Sequence, residues 1–322
     1  MPKQSTYQVV VVGGGAAGLT AALFASRRGL KTLVISQDIG GQAATTPDIE
    51  NYPGIDFVDG LDLMHKFKEQ GEKYGMECVI DTVEGIEPEA AGGYTVRTNT
   101  ASVSAEVVIL AFGLSHRHLN VPGEKDYIGK GVSYCAICEV KYYEGMTVAV
   151  IGGGSSAVQA AINFSEKAKK IYIVNLNERF SAESVVLEKM AKAKVVEPRL
   201  GFETKEVLGD GKKVTGLKIV DKKTQKEEIL PVERIFVEIG YMAKADWVKH
   251  LVQTDERNQI IISKDCETSA PGVFAAGDIT TISFKQVVIS AGEGAKAALA
   301  AHQYLLKKGG KRGAFIDWGK KK

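Results

Sequence analysis

The sequence predicts an α/β fold with two Rossmann-like nucleotide-binding domains, the second inserted into the first. Three observations support this prediction. The stretch VVVVGGGAAGLTAAL at 9–23 is typical of an apolar strand, a glycine turn and an alanine-rich helix. The stretch VAVIGGGSSAVQAAI at 148–162 repeats that order at the distance of a domain. A strand-like GVFAAGD at 272–278 and a long apolar-periodic segment at 287–306 follow, which indicates a return to the first domain.

The glycines of the first copy have separate physical roles. Gly13 allows the tight turn, and Gly15 lets a pyrophosphate approach the backbone because it has no Cβ. Gly18 lets the helix pack close to its strand. The pyrophosphate would then lie at the helix N-terminus, where N–H groups and the helix dipole favour negative charge. The second copy offers the same three positions as Gly152, Gly154 and Ala157.

Short strands are predicted at 79–83, 94–98 and 107–111 between the two copies, and at 171–174 after the second. The resulting boundaries give a first domain of residues 1–116 and 244–322 and a second domain of residues 117–243. His116 and His118 would lie where the chain crosses between the domains. We interpret them as hinge or packing residues, with proton transfer as the alternative role.

The overall composition describes an ordinary soluble protein. The chain has 322 residues, 44% of them hydrophobic and 25% charged, which suits two domains with real cores. A formal net charge of +2 is too small to indicate a nucleic-acid or membrane partner. No apolar stretch reaches the roughly 18 residues of a membrane span, and no signal peptide is evident. We therefore expect a cytoplasmic protein.

Cys135 and Cys138 stand in the stretch SYCAICE, separated by two residues. In a reducing compartment such a pair is more often catalytic or metal-binding than structural. A zinc site could be completed by His116 and His118, which would make the chain a zinc-clipped nucleotide-binding module without catalysis. The redox interpretation is favoured because the pair lies between two nucleotide-binding motifs. A thiolate at a turn or helix start would have a pKa below about 8.5.

Together these motifs resemble the low-molecular-weight thioredoxin reductases, a family of FAD-containing disulfide oxidoreductases. The matching pieces occur in the family's order and spacing across nearly the whole chain. They are GGGAAG at 13–18, GGQ at 40–42, ENYPG at 50–54, CAIC at 135–138, GGGSSA at 152–157, GD at 277–278, and Gln286 with SAG at 290–292.

The resemblance implies that the first domain holds FAD and that the second would take a pyridine nucleotide. It assigns the FAD pyrophosphate to the first glycine turn, and the remaining contacts with the ribityl chain and the ring to four side chains. The cofactor residues so implied are Gly13, Gly15, Gly18, Gln42, Asn51, Asp278 and Gln286.

The resemblance also implies the roles of the two thiols in a homodimeric enzyme. Cys138 would be the sulfur nearest the flavin, and Cys135 would attack the disulfide of a thioredoxin-like partner before Cys138 resolves the mixed disulfide. Glu139 stands where the family usually has an aspartate that acts as general acid and base. The next residue is Val140 where the family commonly has glycine, so the direction of this carboxyl group is not fixed by the resemblance.

One departure from the family concerns the electron donor. NADPH enzymes of the family have a His-Arg-Arg cluster after the second strand of this domain and a further arginine four residues later. Here those positions hold Asn175, Leu176, Asn177 and Ser181, so most of the 2′-phosphate clamp is missing. Glu178 is the one candidate acid for a ribose hydroxyl, three residues late.

We therefore predict weak NADPH use, with NADH, ferredoxin or another donor as alternatives. The expected function is a thioredoxin-disulfide reductase-like flavoenzyme. The alternative is an NADH- or ferredoxin-dependent flavin disulfide reductase, or a related flavin oxidoreductase with another acceptor.

Overall fold

A computed structural model describes residues 6–46, 49–134 and 143–310. The chain divides into two compact units: one is Met1–Ser115 with Met242–Lys322, and the other is His116–Tyr241. The second unit is therefore an insertion in the sequence of the first.

The first unit is built on a seven-stranded sheet whose central strands are apolar and buried on both faces. In its N-terminal part the strands are β1 Thr6–Val12, β2 Thr32–Ser36, β3 Glu77–Ile80, β4 Val83–Pro88, β5 Tyr94–Thr98 and β6 Ser102–Leu110. The helices are α1 Ala16–Arg27, α2 Gly41–Ala44 and α3 Gly60–Glu72.

The strand order of this sheet is β3-β2-β1-β6-β5-β4. Strands β1, β2, β3 and β6 are parallel, whereas β4 and β5 form an antiparallel hairpin beside β6. A strand covered on both faces needs a continuous apolar run, which the four valines at 9–12 provide. The glycine turn after β1 consequently lies at the carboxyl edge of a parallel sheet.

The single strand predicted at 79–83 is wrong. β3 ends at Ile80 and β4 begins at Val83, with Asp81 and Thr82 between them. The Asp81 carboxylate accepts a hydrogen bond from the Thr82 amide at 2.7 Å, which favours a turn. The break is required because β3 pairs in parallel with β2, whereas β4 pairs antiparallel with β5.

The second unit combines a parallel sheet with a smaller antiparallel one. After the short strand β7 Ser115–His116, its strands are β8 Val132–Ser133, β9 Thr147–Ile151, β10 Lys170–Asn175, β11 Val196–Leu200, β12 Phe202–Gly209, β13 Val214–Asp221, β14 Glu227–Leu230 and β15 Arg234–Val237. Its helices are α4 Ser155–Phe164 and α5 Ser184–Ala191.

The parallel sheet has the order β11-β10-β9-β15-β8, and the antiparallel sheet the order β12-β13-β14. A cluster of aromatic rings fills the core on the α4 side, where Phe164 lies 4.4 Å from Tyr143 and 4.3 Å from Phe236 between ring centroids. The second glycine turn, between β9 and α4, is held by this core in the same way as the first turn is held in its own unit.

The chain completes the first unit with β16 Tyr241–Met242, β17 Val273–Ala275 and α6 Val287–Lys308. Strand β16 pairs with β7, so the two segments that connect the units run side by side. Strand β17 joins the large sheet parallel to β6. Helix α6 packs against α1 so closely that a Cβ on Gly294 would overlap the carbonyl oxygen of Ala17.

Candidate functional site

The first glycine turn joins β1 to α1 and leaves one stretch of backbone uncovered. Gly13 has φ +112°, and a Cβ there would lie 2.8 Å from the Cα of Phe112. A Cβ on Gly18 would overlap the carbonyl oxygen of Gly13. Gly15 differs, because the nearest of these atoms to a Cβ on it would be the carbonyl oxygen of Gly40, 3.7 Å away. Gly13 and Gly18 thus shape the turn, and Gly15 presents its backbone to an open cradle.

Helix α1 begins at this turn without a capping side chain. Its N-cap is Gly15, which makes no side-chain hydrogen bond, and the first turn contains no acidic residue. The first N–H groups of a helix have no intrahelical partner, and the helix dipole favours an anion there. The turn therefore fits the pyrophosphate of a dinucleotide.

A second pair of glycines, Gly40 and Gly41, lies directly against the first turn. The Gly40 amide donates to the carbonyl oxygen of Gly14 at 2.7 Å. The Gly14 amide donates to Ser36 Oγ at 2.8 Å, and the Gly41 amide donates to Asp38 Oδ1 at 2.8 Å. These bonds fix the position of α2, the helix that contains the predicted cofactor residue Gln42.

Ser36 and Asp38 are site residues that the sequence analysis missed. The signal was present, since a dinucleotide fold places an acid near the end of the second strand to hold a ribose. In this chain β2 ends at Ser36, and the acid follows two residues later. The serine hydroxyl is used to hold the glycine turn, so the ribose contact there differs from the usual arrangement.

Asn51 and Gln286 come together although they are 235 positions apart. Asn51 Nδ2 donates to Gln286 Oε1 at 3.0 Å. Gln286 is the N-cap of α6, and its carbonyl oxygen accepts the amide of Ser290 at 2.9 Å. Gln42 is held elsewhere in the same unit, where its Nε2 donates to the carbonyl oxygen of Leu114 at 3.0 Å.

Asp278 follows β17 and is fixed by helix α6. Ser290 Oγ donates to Asp278 Oδ1 at 3.0 Å, and a Cβ on the preceding Gly277 would lie 2.8 Å from the Cβ of Ala17 in α1. Burial raises the pKa of the Asp278 carboxyl group, and the Ser290 bond and the charge of Lys285 oppose that rise. The carboxyl group thus lies beside the first turn of α1 and is linked through Ser290 to Gln286.

Lys285 is a further residue that the motif comparison did not identify. Its Nζ donates to the carbonyl oxygens of Asp278 at 3.0 Å and Thr280 at 2.7 Å. Burial lowers the pKa of this ammonium group. Lys285 holds the loop that follows β17 and adds a cation next to the Asp278 carboxyl group.

The second glycine turn, between β9 and α4, repeats the geometry of the first. Gly152 has φ +145°, and a Cβ there would overlap the carbonyl oxygen of Glu238. Gly154 is the N-cap of α4, has no side-chain cap, and would bring a Cβ no closer than 3.9 Å to Ser181 Oγ. Ala157 is fully buried at the third position. This turn also presents open backbone at a helix N-terminus.

The loop after β10 closes over the second turn through polar bonds. Asn175 is buried, and its Nδ2 donates to the carbonyl oxygen of Arg179 at 2.9 Å. The Ser181 amide and hydroxyl both donate to the carbonyl oxygen of Gly153, at 2.8 and 3.2 Å. Glu178 points to solvent and pairs with Lys223 at 2.8 Å. Arg179 is exposed on this loop.

Cys135, Cys138 and Glu139 lie in segment 135–142, outside the described residues. Within the three described stretches, no group of three or more His, Cys, Asp and Glu side chains is arranged to hold a metal ion. Likewise, none of the helices described has the length and apolar character needed to cross a membrane.

Comparison with known proteins identifies one family over most of the chain. The model of the pyridine nucleotide-disulphide oxidoreductase family matches residues 7–302. Among curated proteins, the chain is 40% identical over 307 residues to one of the alkyl hydroperoxide reductase subunits, that of Pseudomonas putida, covering 94% of this chain but 59% of that protein. It is 34% identical over 308 residues to thioredoxin reductase of Listeria monocytogenes, covering 94% of this chain and 95% of that protein.

Among solved structures, the thioredoxin reductase of Lactococcus lactis superimposes with a TM-score of 0.84 at 32% identity. That alignment covers 94% of this chain and 99% of the other. The chain thus spans about three fifths of the alkyl hydroperoxide reductase protein it matches, but nearly the whole of the thioredoxin reductases.

Proposed function

The chain belongs to the pyridine nucleotide-disulphide oxidoreductase family, and we propose that it is a thioredoxin-disulfide reductase-like flavoenzyme. Membership of this family and the two-domain Rossmann-like fold class are confirmed as predicted. In the proposed reaction two electrons pass from a donor through FAD and the Cys135–Cys138 dithiol to the disulfide of a thioredoxin-like protein. The proposal includes a homodimer in the cytoplasm, without nucleic-acid or membrane partners.

The observation that carries the proposal is the open cradle at Gly15. It combines an uncapped helix N-terminus with two neighbouring glycines that have no room for a Cβ. FAD, when bound, supplies the exchange of an electron pair with a dithiol. The residues proposed to hold it are those named from the sequence: Gly13, Gly15, Gly18, Gln42, Asn51, Asp278 and Gln286.

These side chains can orient a flavin through polar contacts that the fold fixes in advance. The Asn51 amide is steered by Gln286, and the Asp278 carboxyl group is steered by Ser290. Both bonds converge on the first turn of α6, which begins at Val287. Positions fixed by packing and hydrogen bonds cost less ordering when a ligand binds.

For the thiols, we propose the roles that the family resemblance implies. Cys135 attacks the partner's disulfide, Cys138 resolves the mixed disulfide, and Glu139 donates and accepts the thiol protons. A Cys138→Ser variant is expected to keep its yellow flavin and to lose disulfide reduction. A variant that still reduces thioredoxin would contradict this assignment.

The loop after β10 supports a weak grip on NADPH in the second unit, whose turn at Gly152, Gly154 and Ala157 we propose as the pyridine-nucleotide site. Asn175 is buried and already bonded, and the Ser181 hydroxyl is bonded to Gly153. Two or three missing charged contacts, each worth about 1.5–3 kcal/mol, would lower the affinity for a 2′-phosphate by several orders of magnitude. NADH or a ferredoxin-like protein is therefore the second candidate for the donor.

Separate anaerobic titrations of the flavin absorbance with NADPH and NADH test this proposal. We expect micromolar NADPH to leave the flavin oxidised. The Leu176→Arg/Asn177→Arg variant should gain NADPH affinity by at least about tenfold, because both positions are exposed and can present a guanidinium to the phosphate. A Leu176→Gln/Asn177→Gln variant is the matched control. Rapid bleaching of the unmodified protein by micromolar NADPH would show that the clamp is not needed.

A further inference from the structure

A chain of three polar side chains in the second unit ends at Tyr134, the residue directly before Cys135. Tyr134 Oη donates to Glu124 Oε1 at 2.6 Å, and His118 Nδ1 lies 2.7 Å from the same hydroxyl. His118 Nδ1 is 3.9 Å from Glu124 Oε1, so the tyrosine bridges the two. The motif comparison assigned no role to Tyr134 or Glu124.

Glu124 is fixed as the inner end of this chain. Its side chain is 1% exposed. Besides the tyrosine, it accepts the backbone amide of Leu119 on Oε1 and that of Asn120 on Oε2, each at 2.7 Å. Asn120 has φ +56°, a conformation rarely adopted by residues other than glycine. The backbone at 119–120 is thus shaped around the carboxylate, which orders the acceptor to which Tyr134 donates.

The direction of the hydrogen bonds determines the protonation state of His118. A phenol has one proton, and Tyr134 gives it to Glu124. The 2.7 Å contact with His118 therefore needs its hydrogen on Nδ1. Burial and the bond to Glu124 raise the pKa of Tyr134, which keeps that proton on the phenol. Neutral His118 is then the Nδ1–H tautomer, and its Nε2 carries a lone pair that can accept a proton.

His118 is also the accessible end of the chain. Its side chain is 33% exposed, so it can exchange protons with solvent. The other described ionisable groups around it are His116, Tyr134 and Glu124; the ring of His116 stacks at 4.7 Å on that of Tyr241. Burial, and then the charge of His118, lower the pKa of His116. A proton added to this pair of histidines therefore resides on His118.

We propose that His118, Tyr134 and Glu124 form a proton relay that couples the protonation of His118 to the thiol–thiolate equilibrium of Cys135. The inference rests on the proposed thiol chemistry. The S–H bond of Cys135 breaks, its proton passes through solvent to Nε2 of His118, and a thiolate and an imidazolium result. The imidazolium then returns the proton to the thiolate released from the partner's disulfide, so protons balance and His118 exchanges no electrons. His118 acts here as a positioning residue that sets the charge beside the thiol.

The test measures the alkylation rate of Cys135 by iodoacetamide between pH 5 and 9, read on the peptide that contains Cys135. A Cys138→Ser background prevents disulfide formation. At pH 6, His118→Gln should lower the rate about three- to tenfold, equivalent to a rise of half to one unit in the thiol pKa. At pH 9, where an imidazole is neutral, the two rates should converge.

Tyr134→Phe tests the bridge itself, because it retains the ring and removes only the hydroxyl. It should lower the rate at pH 6 in the same direction, and the double variant His118→Gln/Tyr134→Phe should be no slower than His118→Gln alone. Tyr127→Phe in the same unit, whose hydroxyl accepts the amide of Gly211 at 3.0 Å, and His302→Gln in α6 are controls and should follow the parent profile.

Identical profiles for His118→Gln and the parent protein would overturn the relay, and so would strictly additive effects of the two changes. Flavin content and thioredoxin reduction are measured separately. A protein that fails to reduce disulfides but shows the His118-dependent branch would refute the proposed function and support the coupling. A working reductase without that branch would do the reverse.

Discussion

The carboxyl group of Asp278 shows how a single residue can serve binding at the expense of stability. Burial raises its pKa, so over the pH range between its ordinary pKa and the raised one the folded chain binds more protons than the unfolded chain. The free energy of unfolding must then fall as the pH rises through that window. At neutral pH the full cost of the buried charge is present in the cofactor-free protein.

Replacing this carboxylate should separate the two effects. In the cofactor-free Asp278→Asn protein we expect a higher urea midpoint at pH 7, because an amide carries no charge to bury, and a difference that shrinks towards pH 4. We expect FAD affinity to fall at least about tenfold, since a charged hydrogen-bond acceptor is lost.

Urea unfolding at several pH values and fluorescence titration of FAD measure these quantities. Asp265→Asn, an exposed change in the same unit, is the control and should alter neither. A destabilised Asp278→Asn protein with full FAD affinity would show that the carboxylate serves the fold alone.

Residues of this site were predictable from sequence only where a motif marks them. Asn51, Asp278 and Gln286 belong to quoted motifs, and the structure joins Asn51 to Gln286 directly. Lys285 and Ser36 escaped notice because their roles depend on tertiary contacts. The two carbonyl groups that Lys285 holds belong to a loop whose path the sequence does not specify.

Among the elements, the contact between α1 and α6 depends on small residues. Four of the buried residues of α6 are Ala291, Ala297, Ala298 and Ala301, and their short side chains let the helices approach. Gly294 marks the closest point, where a Cβ would overlap the carbonyl oxygen of Ala17. This contact also fixes the first turn of α1, where the proposed pyrophosphate site lies.

Two glycines of α6 provide a matched pair for testing that contact. Gly294→Ala should lower the free energy of unfolding by about 1–3 kcal/mol, the usual cost of overpacking, and should weaken FAD binding by displacing α1. Gly292→Ala has no heavy atom within 4 Å of the new Cβ and should stabilise the protein by about 0.4–1 kcal/mol through helix propensity.

Chemical denaturation of both cofactor-free variants decides the matter. Equal effects of the two changes would mean that helix propensity, and not the contact with Ala17, determines the result.

Element prediction succeeded where burial imposes a simple pattern. The apolar runs at 9–12 and 148–151 gave β1 and β9 because strands covered on both faces need continuous apolar residues. The break at Asp81 and Thr82 was missed because VIDTV at 79–83 alternates like one strand. Only the change from parallel to antiparallel partners, a property of the whole sheet, requires the chain to turn there.

At the scale of the whole molecule, the insertion of one nucleotide-binding unit into another is encoded simply. Two glycine motifs and a late return strand were enough to suggest it, because a parallel sheet can accept a distant strand such as β17 beside β6. The donor nucleotide was not encoded so simply. It depends on the side chains of one loop and on what they already bind, as the engaged Asn175 and Ser181 illustrate.

The pairing of β7 with β16 predicts that the first unit can fold without the second. These short strands are hydrogen-bonded neighbours, so their chains lie about 5 Å apart and a linker of about four residues can join them. Replacing residues 117–240 with Gly-Ser-Gly-Ser should give a chain with a cooperative thermal transition and the absorbance of bound FAD. It should not reduce disulfides, because it lacks Cys135 and Cys138.

The proposed cofactor residues all lie outside the deleted segment, so adding Asp278→Asn to the shortened chain should weaken FAD binding by the same factor as in the full chain. A shortened chain that folds cooperatively but stays colourless with excess FAD would place an essential part of the cofactor site in the second unit. A chain that does not fold at all would show that the two units are not independent, however compact each one is.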